Sequence, residues 1–532
     1  MLYSQVARAL QEVSSVSRDR KVEICAALLK GLEPRMLCPV VRLLTGELWP
    51  PWEEREMGVG PEALMAALSE VSPENVSVQR ESLGEMGLVA EAALQKKGQH
   101  SLFREPLQAL AVYERLRRVS EIRGPDSEHR KNALLRGLFL EAEPLEAKYI
   151  ARTALRNMLA GLGARTMVLI IALVSGRNPL ELQRAYNLMP DAGLLASATL
   201  AQGKEKVAIE PLRPIKPMVI RSGGPEDVML PGAFLPVYSG LKVQVHKTDN
   251  AARIFTSQLH NIAPVLNGLA LKLCEIEADF IVDAYLIGFQ EDRICSQAEM
   301  LRYINRRRLS RRRSITPALQ AYDLIYLDGE DVTRLPYTER RDRLVAALGE
   351  PVVMPFSGIS SVPEERLSDR NMLQQHLERA KRAEAKGLLA RDPGEAYLPG
   401  NSSDRDFLIG AKETIAVMIV RAEYGRGIKK GLLSRYCVAV RHDGEMVSVG
   451  CFGGLTYKEA GLLSDHLKAL AMENDELGVV VTPSILLNLS ISGVRKVRDG
   501  YVILRPRIEE IRFDATAEEA DELVRLERIY LR

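Results

Sequence analysis

The sequence predicts a multidomain chain in three parts: an all-helical domain, then a mixed α+β domain, then a small β-rich domain. Three observations carry this. Apolar residues recur at helical spacing through roughly the first 200 residues. Pro211, Pro214 and Pro217 then make a linker-like stretch, after which short β-type runs alternate with helical segments. The last 120 residues or so hold short strands, turn signals and one helix. A chain of 532 residues is too long for one core. The expected boundaries are 1–212, 213–412 and 413–532.

In the first part, Val6, Leu10 and Val13 form one helical stripe, and Val22, Ala26, Leu29 and Leu32 a second, before Pro34. Pro50-Pro51 and Gly58-Val59-Gly60 punctuate helix ends, and Pro144 suits the first turn of a helix running through Tyr149. In the middle part, strands are expected over 242–246, 253–256 and 280–288, with a helix over 297–308. In the last part, strands over 415–420, 436–441 and 446–449 are separated by turns at Gly425, Gly427 and Asp443-Gly444. A helix over 457–470 follows, and strands with one helix in this length suit a small barrel of the OB type.

Composition bounds the function. Apolar residues make 46% and charged residues 27%, as in ordinary globular protein. The 72 basic and 70 acidic residues leave a net charge of +2, so any nucleic-acid contact must come from local patches. Cys25, Cys38, Cys274, Cys295, Cys437 and Cys451 form no C-x-x-C pair and no zinc spacing, and read as buried thiols in a reducing compartment. The longest apolar stretch, Met167 to Val174, is too short to span a membrane, and nothing resembles a signal peptide. A cytoplasmic protein without a membrane partner is expected.

Gly84-Glu85-Met86-Gly87-Leu88-Val89-Ala90-Glu91 is similar to G-D-x-G-x-x-A-E, and Glu146-Ala147-Lys148-Tyr149-Ile150-Ala151-Arg152 to E-A-K-Y-x-x-R. Tyr322-Asp323-Leu324-Ile325-Tyr326-Leu327-Asp328-Gly329-Glu330-Asp331 is similar to F-D-L-L-Y-L-D-G-E-D. Leu335-Pro336-Tyr337-Thr338-Glu339-Arg340-Arg341 is similar to L-P-Y-x-E-R-R. With Ala422-Glu423-Tyr424-Gly425-Arg426-Gly427 near the end, these motifs resemble, in order, those of archaeal-type ATP-dependent DNA ligases over nearly the whole chain. The resemblance implies a helical DNA-binding domain, an ATP-grasp-like nucleotidyltransferase (adenylation) domain and a C-terminal OB-fold barrel. It implies that Lys131, Lys148 and Arg152 contact phosphates of nicked duplex, and that Tyr322 stacks on adenine. Phosphate contacts position a protein without reading sequence, as a nick binder requires.

Against that frame the chemistry is missing. The family's nucleotidyl motif reads K-x-D-G-x-R; here Leu235-Pro236 is followed by Val237 at the lysine, Ser239 at the aspartate, Gly240 and then Lys242 at the arginine. Valine cannot attack the α-phosphate of ATP, and Lys242 and Lys247 lie too far along the strand to substitute. E-G-E appears as Asp283-Ala284-Tyr285, so the second carboxylate is a phenol. E-G-x-x-x-K appears as Lys386-Gly387-Leu388-Leu389-Ala390-Arg391, a cation where magnesium needs an anion. W-x-K-x-K appears as Phe407-Leu408-Ile409-Gly410-Ala411, leaving Lys412 only with a register shift, and R-x-D-K appears as Arg512-Phe513-Asp514-Ala515.

Other features are shorter. Arg306 to Arg308 and Arg311 to Arg313 make a basic run that either docks phosphates or is a solvated face. Gln99, Leu102 and Phe103 resemble the motif by which archaeal ligases dock the sliding clamp. Leu159 stands where the family often has a groove-facing arginine, and His246 belongs to a family strand. Three readings follow. The first is an inactive ligase-like protein that binds nicked or duplex DNA in replication and repair, with no cofactor. The second is an active nick-sealing ligase using ATP and Mg²⁺. The third is a clamp-associated scaffold that has left DNA. A monomer is expected, in a more open arrangement than an adenylated ligase.

Overall fold

The computed structural model describes all residues except 74, 96–104, 202–206, 292, 306–314, 353, 411–413, 426–430, 476, 492, 499 and 532. It divides into two compact units, Met1–Ala208 and Ile209–Arg532.

The first unit is helical. Proline does not end its second helix; Pro34 opens the third, Pro34–Thr45, where its missing N–H leaves no bond unmade. That helix stops at Gly46, whose φ of 77° suits a left-handed C-terminal cap. Pro144–Ala154 begins the same way on Pro144. Asn178 and Asp191 cap their helices by accepting from the backbone N–H groups of Leu180 and Leu194. One core, including Leu10, Leu44, Val89, Tyr149 and Ile171, joins the helices. The apolar stretch noted above lies in Ala164–Ser175, and among the described residues no helix is long and apolar enough to cross a membrane.

The second unit opens with two sheets. One runs in the order Val219–Gly223, Ser402–Gly410, Gly387–Arg391, Gly232–Val237, Glu365–Leu367. The other runs Ala251–Thr256, Leu241–Thr248, Phe280–Gln290, Thr316–Leu327, Glu330–Asp331. Its central strands are buried on both faces and so read as nearly continuous apolar runs. The helix expected over 297–308 is described as Gln297–Ile304.

The C-terminal β domain pairs Thr414–Tyr424 with Leu433–His442 and the latter with Glu445–Phe452. Thr414–Tyr424 also pairs with Gly478–Val481 and Leu486–Ser490, and the helix Tyr457–Ala469 interrupts the strands. The expectation of six free thiols is corrected here. Cys437 and Cys451 face each other across adjacent strands and form a disulfide, while Cys25, Cys38, Cys274 and Cys295 are free. The Asp443-Gly444 turn, with φ of 49° and 85°, folds the chain back so that cysteines 14 apart meet.

Candidate functional site

Val237 ends Gly232–Val237 and lies opposite Gly387, with Leu235 opposite Leu389. Alternation along the strand puts Ala233, Leu235 and Val237 on one face. They pack with Tyr322, Tyr337, Val362 and Leu389, and Val237 is 6% exposed. Saturated carbon fills the position, and it has no atom that can attack a phosphate. Ser239 is half-buried in the bend that follows. Gly240, the one residue of the motif that matches, is required for packing: a Cβ there would lie 2.7 Å from the Leu286 carbonyl oxygen. Its presence therefore says nothing about chemistry.

Tyr322, expected to stack on adenine, is buried. Tyr285 lies against it, with ring centroids 5.0 Å apart and planes inclined by 36°. The phenol that replaced a carboxylate thus covers the stacking surface.

The remaining charges engage one another. Arg340 Nε and Nη2 donate to the two carboxylate oxygens of Asp323 at 2.8 and 3.0 Å. Arg391 Nη2 also donates to Asp323, and Arg391 Nη1 lies 3.4 Å from Asp406. The Tyr337 ring lies 4.7 Å from this guanidinium. Burial pushes the Asp323 carboxyl up, but the guanidinia of Arg340 and Arg391 outweigh it and hold it below the ordinary value. Lys242 Nζ donates to the Met218 carbonyl at 2.9 Å; burial lowers its pKa against the pull of Glu519 and Asp283. Asp283 accepts from Tyr397 Oη at 2.7 Å and Gln244 Nε2 at 3.2 Å, and burial pushes its carboxyl up to about 6. His246 is buried beside Gln244, 2.9 Å away, and burial pushes its imidazole down to about 3.

A cavity of about 280 Å³ separates this face from the C-terminal β domain. Val237, Tyr285 and Lys242 line one side, and Asn488, Arg512 and Glu519 the other. Lys386 Nζ bonds to Glu510 Oε1, whose second oxygen accepts from Asn488 Nδ2 at 2.8 Å. Burial pushes Glu510 up, but the ammonium of Lys386 holds it below its ordinary value. Arg512 Nη2 donates to Glu519 at 2.6 Å. Lys216 to Glu518 (3.2 Å), Gln258 Nε2 to the Ala515 carbonyl (3.2 Å) and Arg525 to the Ser222 carbonyl extend the contact. Within this unit the two domains therefore meet through paired charges and carbonyl contacts.

Glu510, Glu519 and Asn488 were missed by sequence reasoning. One signal existed: the resemblance implies a carboxylate at 386, and the lysine there can pair with an acid. Lys386→Glu is expected to set like charges against each other and loosen this contact. Small-angle scattering should show a larger radius of gyration, and Lys386→Glu with Glu510→Lys should restore the wild-type value. An unchanged radius in the single variant would show that the pair does not hold the domains.

In the helical unit, Lys131, Lys148 and Arg152 are 9, 6 and 8% exposed. Lys131 Nζ donates to the Met57 carbonyl at 2.7 Å, Lys148 pairs with Glu91 at 3.0 Å, and Arg152 with Glu85 at 3.0 Å. The two sequence motifs therefore grip each other: acids of the first hold cations of the second. Gly87 makes room for this, since a Cβ there would lie 2.8 Å from Arg152. All three cations, expected to contact phosphates, are engaged inside the unit. Leu159 adopts φ of 54° in the turn between two helices. Gln99, Leu102, Phe103, the arginine run and Lys412 lie outside the described residues.

A family model of the DNA ligase N terminus matches residues 2–207, and one of the ATP-dependent DNA ligase domain matches residues 237–407. The chain belongs to the ATP-dependent DNA ligase family. The match of the second ligase model begins at Val237. A DNA ligase of Methanothermobacter thermautotrophicus is 29% identical, covering 100% of this chain and 98% of that ligase. A DNA ligase of Thermococcus fumicolans is 28% identical over 100% and 98%. Among solved structures, a mycobacterial DNA ligase D complexed with ATP and MES covers 57% of this chain at 18% identity, with a TM-score of 0.36.

Proposed function

We propose that this member of the ligase family binds nicked or duplex DNA in replication or repair and does not adenylate itself. The observation that carries the proposal is the apolar cluster in which Val237 packs. Self-adenylation needs an amine there, free cations for a triphosphate and free carboxylates for magnesium. The lysines and arginine lining the cavity are engaged: Lys242 with a carbonyl, Lys386 with Glu510 and Arg512 with Glu519. Tyr285 covers the ring on which a base would stack. These residues do not fit ATP and magnesium. Nick sealing is the second reading, favoured by the relatives' name, DNA ligase.

DNA contact in the helical unit falls to other side chains. Arg118, Arg165, Arg177 and Arg184 are exposed and have no ion pair among the described residues. Docking on a sliding clamp through Gln99, Leu102 and Phe103, and a monomeric state, belong to the same proposal.

The test combines two measurements. Incubation with labelled ATP and magnesium should leave no covalent protein–AMP adduct, and an adduct would establish the second reading. Nicked duplex should bind at low salt, with log K falling linearly in log salt by about 0.9 per phosphate neutralised. Arg165→Ala should weaken binding to all sequences alike and reduce that slope by about 1. Absence of any shift of nicked duplex at low salt would favour the scaffold reading.

A further inference from the structure

The C-terminal β domain carries a cluster that the nucleotide site and the DNA surface do not use. Cys437 on Leu433–His442 and Cys451 on Glu445–Phe452 are directly opposed, with Cα atoms 3.9 Å apart. Glu423, on the neighbouring strand Thr414–Tyr424, places Oε1 3.9 Å from Cys437 Sγ. One ligand atom from each of the three lies within 4.8 Å of the others. Three adjacent strands of one sheet hold them, so their spacing is set by ladder hydrogen bonds and not by a flexible loop. Cys437 is buried while Cys451 faces solvent, which leaves one side open to an entering ion and to water.

We propose that reduction of the Cys437–Cys451 disulfide turns this cluster into a site for a borderline-soft divalent cation of the zinc type. The chemistry of the donors selects the class. Two thiolates favour zinc over magnesium or calcium, and the carboxylate supplies a third ligand. The oxidised pair cannot serve, because each sulfur's bonding electrons are committed to the other sulfur. Reduction by a low-molecular-weight thiol balances as one protein disulfide plus two thiols giving two protein thiols and one small disulfide. Metal entry then displaces the two thiol protons to solvent. Arg435 Nη1 donates to the other oxygen of Glu423, Oε2, at 3.4 Å, which leaves Oε1 turned toward the sulfur. Metal binding is thereby gated by redox state.

The experiment titrates the full chain with cobalt(II) alone under anaerobic conditions, after reduction and removal of the reductant. The reduced protein should show a near-ultraviolet thiolate-to-cobalt charge-transfer band saturating at one ion per chain, which zinc bleaches. The oxidised protein should show none. Cys451→Ser, at the exposed position, should abolish the band. Glu423→Gln, which leaves both thiols, should keep the band and weaken binding by at least the roughly 10–100-fold typical of losing a supporting group at a metal site. A silent reduced protein, a band in the oxidised protein, or a band surviving Cys451→Ser would overturn the proposal; the last would place the metal on other thiols. Unchanged affinity in Glu423→Gln would remove the carboxylate from the site and with it the three-ligand assignment.

Discussion

Val237→Lys is expected to produce no protein–AMP adduct and to lower the melting temperature of the chain. The side chain at 237 sits among Leu235, Tyr322, Tyr337, Val362 and Leu389, with Tyr285 packed beside them. The acids nearest across the cavity, Glu510 and Glu519, are already paired with Lys386 and Arg512. A lysine placed there must bury its ammonium in the cluster, or extend it into the cavity beside the ammonium of Lys386 and the guanidinium of Arg512, which already hold the acids there. An uncompensated buried charge costs about 3–5 kcal/mol. Catalysis would not return in exchange, because an amine alone does not supply the reacting geometry. The phosphate would still meet engaged cations, and the base would still meet Tyr285 on the face of Tyr322. Thermal unfolding and labelled-ATP incubation of the same preparation check both halves. An adduct in this variant would show that one residue separates the chain from activity. An unchanged melting temperature would show that the cluster is looser than its burial implies.

The second large effect is at Arg391. Arg391→Ala is expected to destabilise the chain by about 3–5 kcal/mol, because it leaves the buried carboxylates of Asp323 and Asp406 short of a partner. Arg340 would still hold Asp323, so the loss falls most heavily on Asp406. Arg391→Lys should recover only part of the stability: a single ammonium cannot present the planar fork that reaches both acids while lying over Tyr337. Thermal unfolding of the two variants decides the matter. If both melted like the wild type, Arg391 would be no structural bridge, and a phosphate-facing role at the family's lysine position would regain force.

Much of the architecture was legible along the chain. Period-3.6 stripes such as Val6, Leu10 and Val13 mark helices because a helix buries one face. Hairpin turns such as Asp443-Gly444 are readable because few residues adopt positive φ cheaply. The burial of Lys148 and Arg152 was not legible. A cation on a helix looks the same whether it meets DNA or an acid, and its acid partners, Glu91 and Glu85, lie on another helix. The disulfide was half legible: the Asp443-Gly444 turn brings the strands of Cys437 and Cys451 together, but only the register shift between Val438 and Ala439 sets the two cysteines opposite each other.

The sequence by itself determined what the site lacks. Nucleophilicity is a property of a side chain's own atoms, so a valine at 237 excludes amine attack there whatever the fold around it. The tertiary structure alone decided what the surviving charges do. Lys386 and Glu510 are separated by 124 residues, and Arg391 and Asp323 by 68. Electrostatic pairing depends on distance in space and on the exclusion of water, and neither is written in chain order. Only the folded chain shows that the positive side chains left at the cavity already have partners.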